Sequence, residues 1–303
     1  MKIQKTVVNI IIYILLIGLA VMFIAPIVIV TYNSFKGKLF IMSAPFEFPN
    51  AETFDGSNYL RGIINSGFFG RPITMLLSAF SDGMSATVSR LGNIGAFGRS
   101  LFITVISVAA MLLFTSMCAW YIDRADTKLC RFLYYMLVFS MVVPFQMVMY
   151  SLTSVASKLE LNNPVGIIFV YLGFGAGLSV FMYSGFVRSV PIEIEEAAMI
   201  DGCTPLQTFF RVVFPVLKPI TVTVAILQTM WVWNDYLLPY LLLGSEFKTI
   251  PVAVQLAMQG AYGSVDWGSF MALLVISIIP IIIFYLFGQK YIINGVIAGA
   301  VKG

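Results

Sequence analysis

The chain has 303 residues, 59% of them hydrophobic and 11% charged, with a formal net charge of +4 and no histidine. A water-soluble domain of this size carries roughly 25% charged residues, so this much apolar surface requires a bilayer as its solvent and excludes a purely soluble fold. The 18 basic residues against 14 acidic ones are too dispersed for nucleic-acid binding, and the missing histidine removes the commonest general base and metal ligand.

Met1-Lys2-Ile3-Gln4-Lys5 looks like the start of a signal peptide. The apolar run that follows is too long for one, and no small-residue cleavage site closes it. Residues 1–9 therefore read as a cytoplasmic N-terminus and residues 10–31 as an uncleaved first span. A spanning helix needs about 20 mostly apolar residues. Five more segments qualify: Gly98 to Trp120, Phe132 to Thr153, Pro164 to Val187, Pro219 to Leu243 and Gly268 to Gln289. The expectation is an all-α polytopic membrane protein with six transmembrane helices. Residues 32–97 form a long extracellular loop, and residues 98–303 hold the remaining spans.

Lys and Arg fix the orientation. With a cytoplasmic N-terminus, ten of the 18 basic residues lie inside, and six of the outer eight belong to the long first loop. Long loops translocate largely regardless of charge. Both termini are thus expected in the cytoplasm of a bacterial cell, with the chain multi-pass in its membrane. Within the long loop, Ile73, Leu76, Leu77, Phe80 and Met84 recur at near-helical spacing between Arg71 and Arg90. They suit either a short amphipathic surface helix or a loosely packed insertion.

Cys118, Cys130 and Cys203 have no metal-type spacing and read as buried free thiols. No GxxxxGK[ST], HExxH or GxSxG run occurs. No catalytic residue, metal ligand or cofactor is therefore assigned to this chain.

The stretch from Arg188 to Lys218 divides into two short helices. Pro191 suits a first turn, and Glu193, Glu195 and Glu196 favour the positive end of a helix dipole. Gly202 tolerates the left-handed conformation that ends a helix. Thr204-Pro205-Leu206-Gln207 fits a capping box, and Leu206, Phe209, Phe210 and Val213 then make an apolar stripe that Pro215 terminates. Ala197 and Ala198 permit close approach of a partner surface, and the acidic residues suit a basic groove. The same residues also suit an ordinary amphipathic connector.

Glu196-Ala197-Ala198, followed by Gly202 and by Val212-Val213-Phe214-Pro215, resembles the EAA motif of binding-protein-dependent ABC permeases. The motif ends in I-x-L-P there and in V-x-F-P here. Glu195 to Gly202, Trp233-Asn234-Asp235-Tyr236, Thr249-Ile250-Pro251-Val252, Asp266-Trp267-Gly268 and the tail Gly295 to Gly303 are similar to the carbohydrate branch, in its maltose-type second permease. The resemblance covers Phe97 to Gly303, the first span and Asn58-Tyr59; residues 61–93 are longer than the family pattern. It implies an ABC importer type I permease fold with a coupling helix in the loop 188–219. It also implies a second permease subunit, two ATPase subunits that hold ATP and Mg, an extracellular solute-binding protein and a sugar substrate. Glu195, Glu196, Ala197, Ala198, Asp201, Gly202 and Pro215 carry the ATPase coupling by this resemblance.

Polar side chains inside spans are costly and often functional. Gln146, Gln228, Trp233, Asn234, Asp235 and Tyr236 are the candidates for a substrate pathway. Asp235 lies 17 residues beyond Lys218, about 25 Å along a helix, towards the outer leaflet. An interfacial aromatic belt with a hydrated carboxylate is the alternative for that cluster, and an interhelical hydrogen bond the alternative for Gln146. The loop Gly244 to Asp266 resembles the outer loop that reaches a binding protein, with Gln255, Gln259 and Tyr262 as contacts. Lys302 and Gly303 are either an ATPase contact or a solvated tail. Beyond the resemblance, a self-contained secondary transporter or channel, or an ABC permease for a non-sugar solute, also fits six apolar helices.

Overall fold

The computed structural model describes residues 2–67, 95–259 and 265–300, and the side chains of residues 12–67, 95–259 and 265–289. The amphipathic pattern between Arg71 and Arg90, Tyr262, Lys302 and Gly303 lie outside the described residues. The described chain is helical, and its one non-helical pairing is an isolated bridge between Lys36 and Phe54.

In chain order the helices are α1 (Lys2–Asn33), α2 (Lys38–Ser43), α3 (Ser57–Ser66), α4 (Ala96–Ala125), α5 (Lys128–Ser140), α6 (Phe145–Lys158) and α7 (Gly166–Val187). They continue as α8 (Glu193–Ile200), α9 (Pro205–Val216), α10 (Lys218–Asn234), α11 (Leu237–Leu243), α12 (Ile250–Gln259) and α13 (Trp267–Ala300). Four described helices hold stretches long and apolar enough to cross a bilayer: Ile12–Asn33, Ala96–Ala125, Gly166–Val187 and Trp267–Gln289. Two further candidates are bent pairs, α5 with α6 at 109° and α9 with α10 at 78°.

Three breaks depart from the sequence reading, each for a local reason. The segment Phe132 to Thr153 is not one straight helix. Pro144 has no amide to donate and turns the chain at residues 141–144, so α5 and α6 meet at a sharp angle. The segment Pro219 to Leu243 stops at Asp235, which is extended (φ −71°, ψ 120°), and restarts as α11. Conversely, Pro215 does not end α9. A π turn at Phe209–Val213 resets the hydrogen-bond register, and Pro215 falls in a first turn where no amide is needed. The bend comes two residues later, at Leu217.

The chain divides into two compact units. The first holds residues 1–68 and 253–279. Its polar centre is Asn58, which is fully buried and donates to the carbonyls of Ser34 at 2.9 Å and Lys36 at 2.8 Å. Arg61 donates to the Asn58 amide oxygen and pairs with Asp55 at 2.8 Å and Asp266 at 3.4 Å. Lys36 is itself buried, with Nζ donating to the Ala44 carbonyl at 2.8 Å. These bonds fasten the segment after α1 to Asp266, the residue that precedes α13.

The second unit holds residues 69–252 and 280–303. Here α4 packs along α7, with α10 on its flank and α5 against α7. Gly175 lets α7 approach Met111 of α4, and Gly177 lets it approach the Leu137 backbone of α5; a Cβ at either place would collide. Gln228, nearly fully buried on α10, donates to Gly175 O at 3.1 Å and Ser179 Oγ at 2.8 Å. An otherwise costly polar group is thereby converted into a cross-helix fastening.

Candidate functional site: the loop between α7 and α10

The loop is built as its local residues dictate. Pro191 lies two residues ahead of α8, outside its first turn. The three glutamates fill that first turn. Gly202 takes φ +86° with nothing within 4 Å of a would-be Cβ, so glycine is required there by conformation and not by crowding. Thr204 and Gln207 form both bonds of the capping box that opens α9.

Which face of each helix turns inward is a matter of tertiary packing. Of the four apolar residues expected as one stripe on α9, Phe209 and Val213 are buried, while Leu206 and Phe210 are exposed. Phe209, Val213 and Leu217 sit in a core with Ala119 and Ile122 of α4, Val180, Tyr183 and Val187 of α7, and Val224 of α10. On α8, Glu195 and Ala198 face inward; Glu196, Ala197, Met199 and Ile200 face outward, as do Asp201, Gly202 and Pro215. Glu195 is therefore not available to a basic groove on another molecule, a correction to the sequence reading of this acidic cluster.

Glu195 is 3% exposed, and each carboxylate oxygen has a partner. Oε1 accepts from Arg124 Nε at 2.9 Å and Nη2 at 2.8 Å, and Oε2 accepts from Trp120 Nε1 at 2.8 Å. The same Arg124 Nη2 donates to the Val190 carbonyl at 2.9 Å and to the Val187 carbonyl at 3.4 Å, where a helix C-terminus favours positive charge. One residue earlier, Asp123 accepts from Arg188 Nε at 3.0 Å. Neither Trp120 nor Arg124 was picked out by sequence reasoning. The signal was present: an indole and two adjacent opposite charges close an otherwise apolar span.

The pathway candidates scatter. Trp233 is buried and lines a cavity of about 350 Å³ with Thr104, Val108, Thr229 and Phe284 among its walls. Asp235 is engaged within the chain. It accepts from Tyr171 Oη at 3.0 Å and from the amide of Leu237 at 3.0 Å, and so caps α11. Asn234 donates to its own helix, at the Met230 carbonyl, and Tyr236 stacks on Tyr240. Gln146 is exposed and has no side-chain hydrogen bond among the described residues, so the interhelical bond offered as its alternative has no partner among them. Gln255 is half-buried and Gln259 exposed on α12. Of the three free thiols, only Cys130 is buried.

Fold and site together define an all-helical, multi-pass membrane protein with a helix–turn–helix seated on one end of its bundle. Residues 111–297 match the family described as "Binding-protein-dependent transport system inner membrane component". A probable starch degradation products transport system permease protein of Thermoanaerobacterium thermosulfurigenes is 32% identical over 94% of this chain and 93% of its own. A multiple sugar-binding transport system permease protein of Streptococcus mutans is 35% identical over 96% of each chain. A melibiose/raffinose/stachyose import permease protein of Bacillus subtilis is 35% identical over 70% of this chain and 77% of its own. A chain of a bacterial ABC transporter involved in the import of the acidic polysaccharide alginate shares the fold. It has a TM-score of 0.75 at 22% identity and covers 95% of this chain and 97% of its own.

The chain belongs to the binding-protein-dependent transport system inner membrane component family. It is a permease subunit of an ABC importer, a transport component and not an enzyme.

Proposed function

We propose that this permease imports a sugar or oligosaccharide, paired with a second permease subunit across one translocation pathway. Two ATPase subunits, which hold the ATP and Mg, bind beneath the two permeases, one of them on α8 of this chain, and an extracellular binding protein delivers the sugar. The bent pair of α5 and α6 counts as one crossing and α10, without α9, as another, giving six spans with both termini in the cytoplasm. The curated relatives named above support the sugar class.

The division of α8 into two faces carries the docking reading. Glu195 and Ala198 bind the helix to its own bundle, while Glu196, Ala197, Met199 and Ile200 form an outward face. Leu206 and Phe210 of α9 extend that face. Exposed large apolar side chains next to a carboxylate on a short rigid helix suit a protein partner better than water. Asp201, Gly202 and Pro215 set the turn and the exit of this element. In the pathway, Trp233 is the candidate for stacking on a sugar ring and Gln146 a candidate polar contact, while Asn234, Asp235, Tyr236 and Gln228 shape the surrounding helices. Gln255, Gln259 and Tyr262 are assigned to the binding-protein contact.

Reconstitution in liposomes with the ATPases, the partner permease and the binding protein tests this reading. The expected result is ATP hydrolysis stimulated by sugar-loaded binding protein, together with sugar uptake. Solute movement by this chain alone, without ATP, would contradict it.

A further inference from the structure

We infer that Arg124, assisted by Trp120, is the positioning residue through which a displacement of α8 reaches α4 and α7. This rests on the docking of ATPases on α8 proposed above.

Arg124 touches three helices at once. Its guanidinium grips Glu195 of α8 through two nitrogens, and its Nη2 also meets the carbonyls of Val187 and Val190 at the end of α7, while its own backbone belongs to α4. Both nitrogens converge on one carboxylate oxygen, Oε1, while Trp120 holds the other, so the carboxylate is fixed in angle as well as distance. Glu195 is nearly fully buried, and removing one partner of a buried pair leaves an uncompensated charge. Separating the pair is therefore costly. Apolar contacts alone let a helix slide on its neighbour; this bond does not.

Trp120 extends the same logic to the second helix of the loop. Its Nε1 donates to the remaining Glu195 oxygen, and its ring lies 5.3 Å from that of Phe209, which is fully buried. Both α8 and α9 are thus seated on one side chain of α4. The neighbouring ion pair, Asp123 with Arg188, is a lesser tie, because Arg188 is 61% exposed and solvent screens it. A push on the outward face of α8 is accordingly delivered to α4 and α7 as one rigid body.

The test compares Arg124→Met, Arg124→Lys, Trp120→Phe and the charge exchange Arg124→Glu with Glu195→Arg. Each is assembled with its ATPases, partner permease and binding protein in liposomes. Maltotriose and raffinose serve as probes, and the readout is sugar moved per ATP hydrolysed. In Arg124→Met, ATP hydrolysis continues while this ratio falls about tenfold or more, within the roughly 5–150-fold range of site–site coupling. Arg124→Lys falls less, Trp120→Phe falls least, and the exchange recovers part of the loss. An unchanged ratio in assembled variants, however much rate or thermal stability drops, overturns the inference. Should Arg124→Met fail to assemble, the ratio in Trp120→Phe decides. Ile200→Glu, on the outward face, separates the two readings. It should release the ATPases; if they stay bound, the docking reading falls and this inference with it. If they leave while the Arg124→Met ratio is normal, only this inference falls.

Discussion

An alanine at Gly268 should be harmful alone and almost harmless beside a second substitution. The three atoms nearest to a Cβ at Gly268 all belong to the Asn58 side-chain amide, at overlapping distances. That amide donates to Ser34 O and Lys36 O and accepts from Arg61. Overpacking costs about 1–3 kcal/mol, and displacing the amide loosens bonds worth about 1 kcal/mol each, so Gly268→Ala should lose roughly 3 kcal/mol. Asn58→Ala removes the same three bonds and should also lose about 3 kcal/mol. In the double variant the added methyl enters space that the amide has vacated, so the total should stay near 3 kcal/mol instead of 6. That coupling is at the upper end of what contacting residues show. Thermal unfolding of the purified protein in detergent, read by protease cleavage within residues 34–66, measures all four forms. A double variant that loses the full sum would show that Gly268 is crowded by something other than Asn58.

Three further outcomes follow from local geometry. Gly202→Val forces a β-branched residue into φ +86°, at roughly 1–2 kcal/mol; because the site is uncrowded, Gly202→Asn should keep most transport, and equal loss in both variants would point to a steric cause. Asp235→Ala should cost about 1–2 kcal/mol as a lost cap of α11, with Asp235→Asn milder in both thermal stability and transport. If Asp235→Asn instead removes sugar transport at unchanged stability, the carboxylate contacts substrate. The Ser57 hydroxyl first, and then the Arg61 guanidinium, hold the Asp55 carboxyl below its ordinary value of 3.8. A lowered folded value means that this stabilisation is complete above 3.8 and is lost as pH falls through the folded value. Protease sensitivity of residues 34–66 should rise across that window in the wild type and change less in Asp55→Asn.

What could be read from residues alone was whatever depends on neighbours in the chain. The apolar runs announce a bilayer. Gly202 and the pair Thr204 with Gln207 form the turn and cap that their spacing predicts, since those bonds close within four residues. Hydropathy is blind to hydrogen-bond registers, and so it passed over the turn at Pro144 and the break at Asp235 inside otherwise apolar stretches. Proline's local rule, in turn, put the stop at Pro215, because the π turn upstream that moves the register is not visible in the residues. The facing of Glu195 was not legible either. An acidic residue on a short helix reads as solvent-facing until α4 is known to offer an arginine and an indole to the same spot. Arg124 itself, counted only as a charge on one side of the membrane, is separated from Glu195 by 71 positions.

The account depends on α8 turning one face to its own bundle and the other to an ATPase. A photo-reactive side chain at Ile200, 85% exposed, tests this in the assembled importer. Cross-links should form to the ATPase subunit and vanish when the ATPases are stripped away. Cross-links only to lipid or to this same chain, with ATPases present, would contradict it.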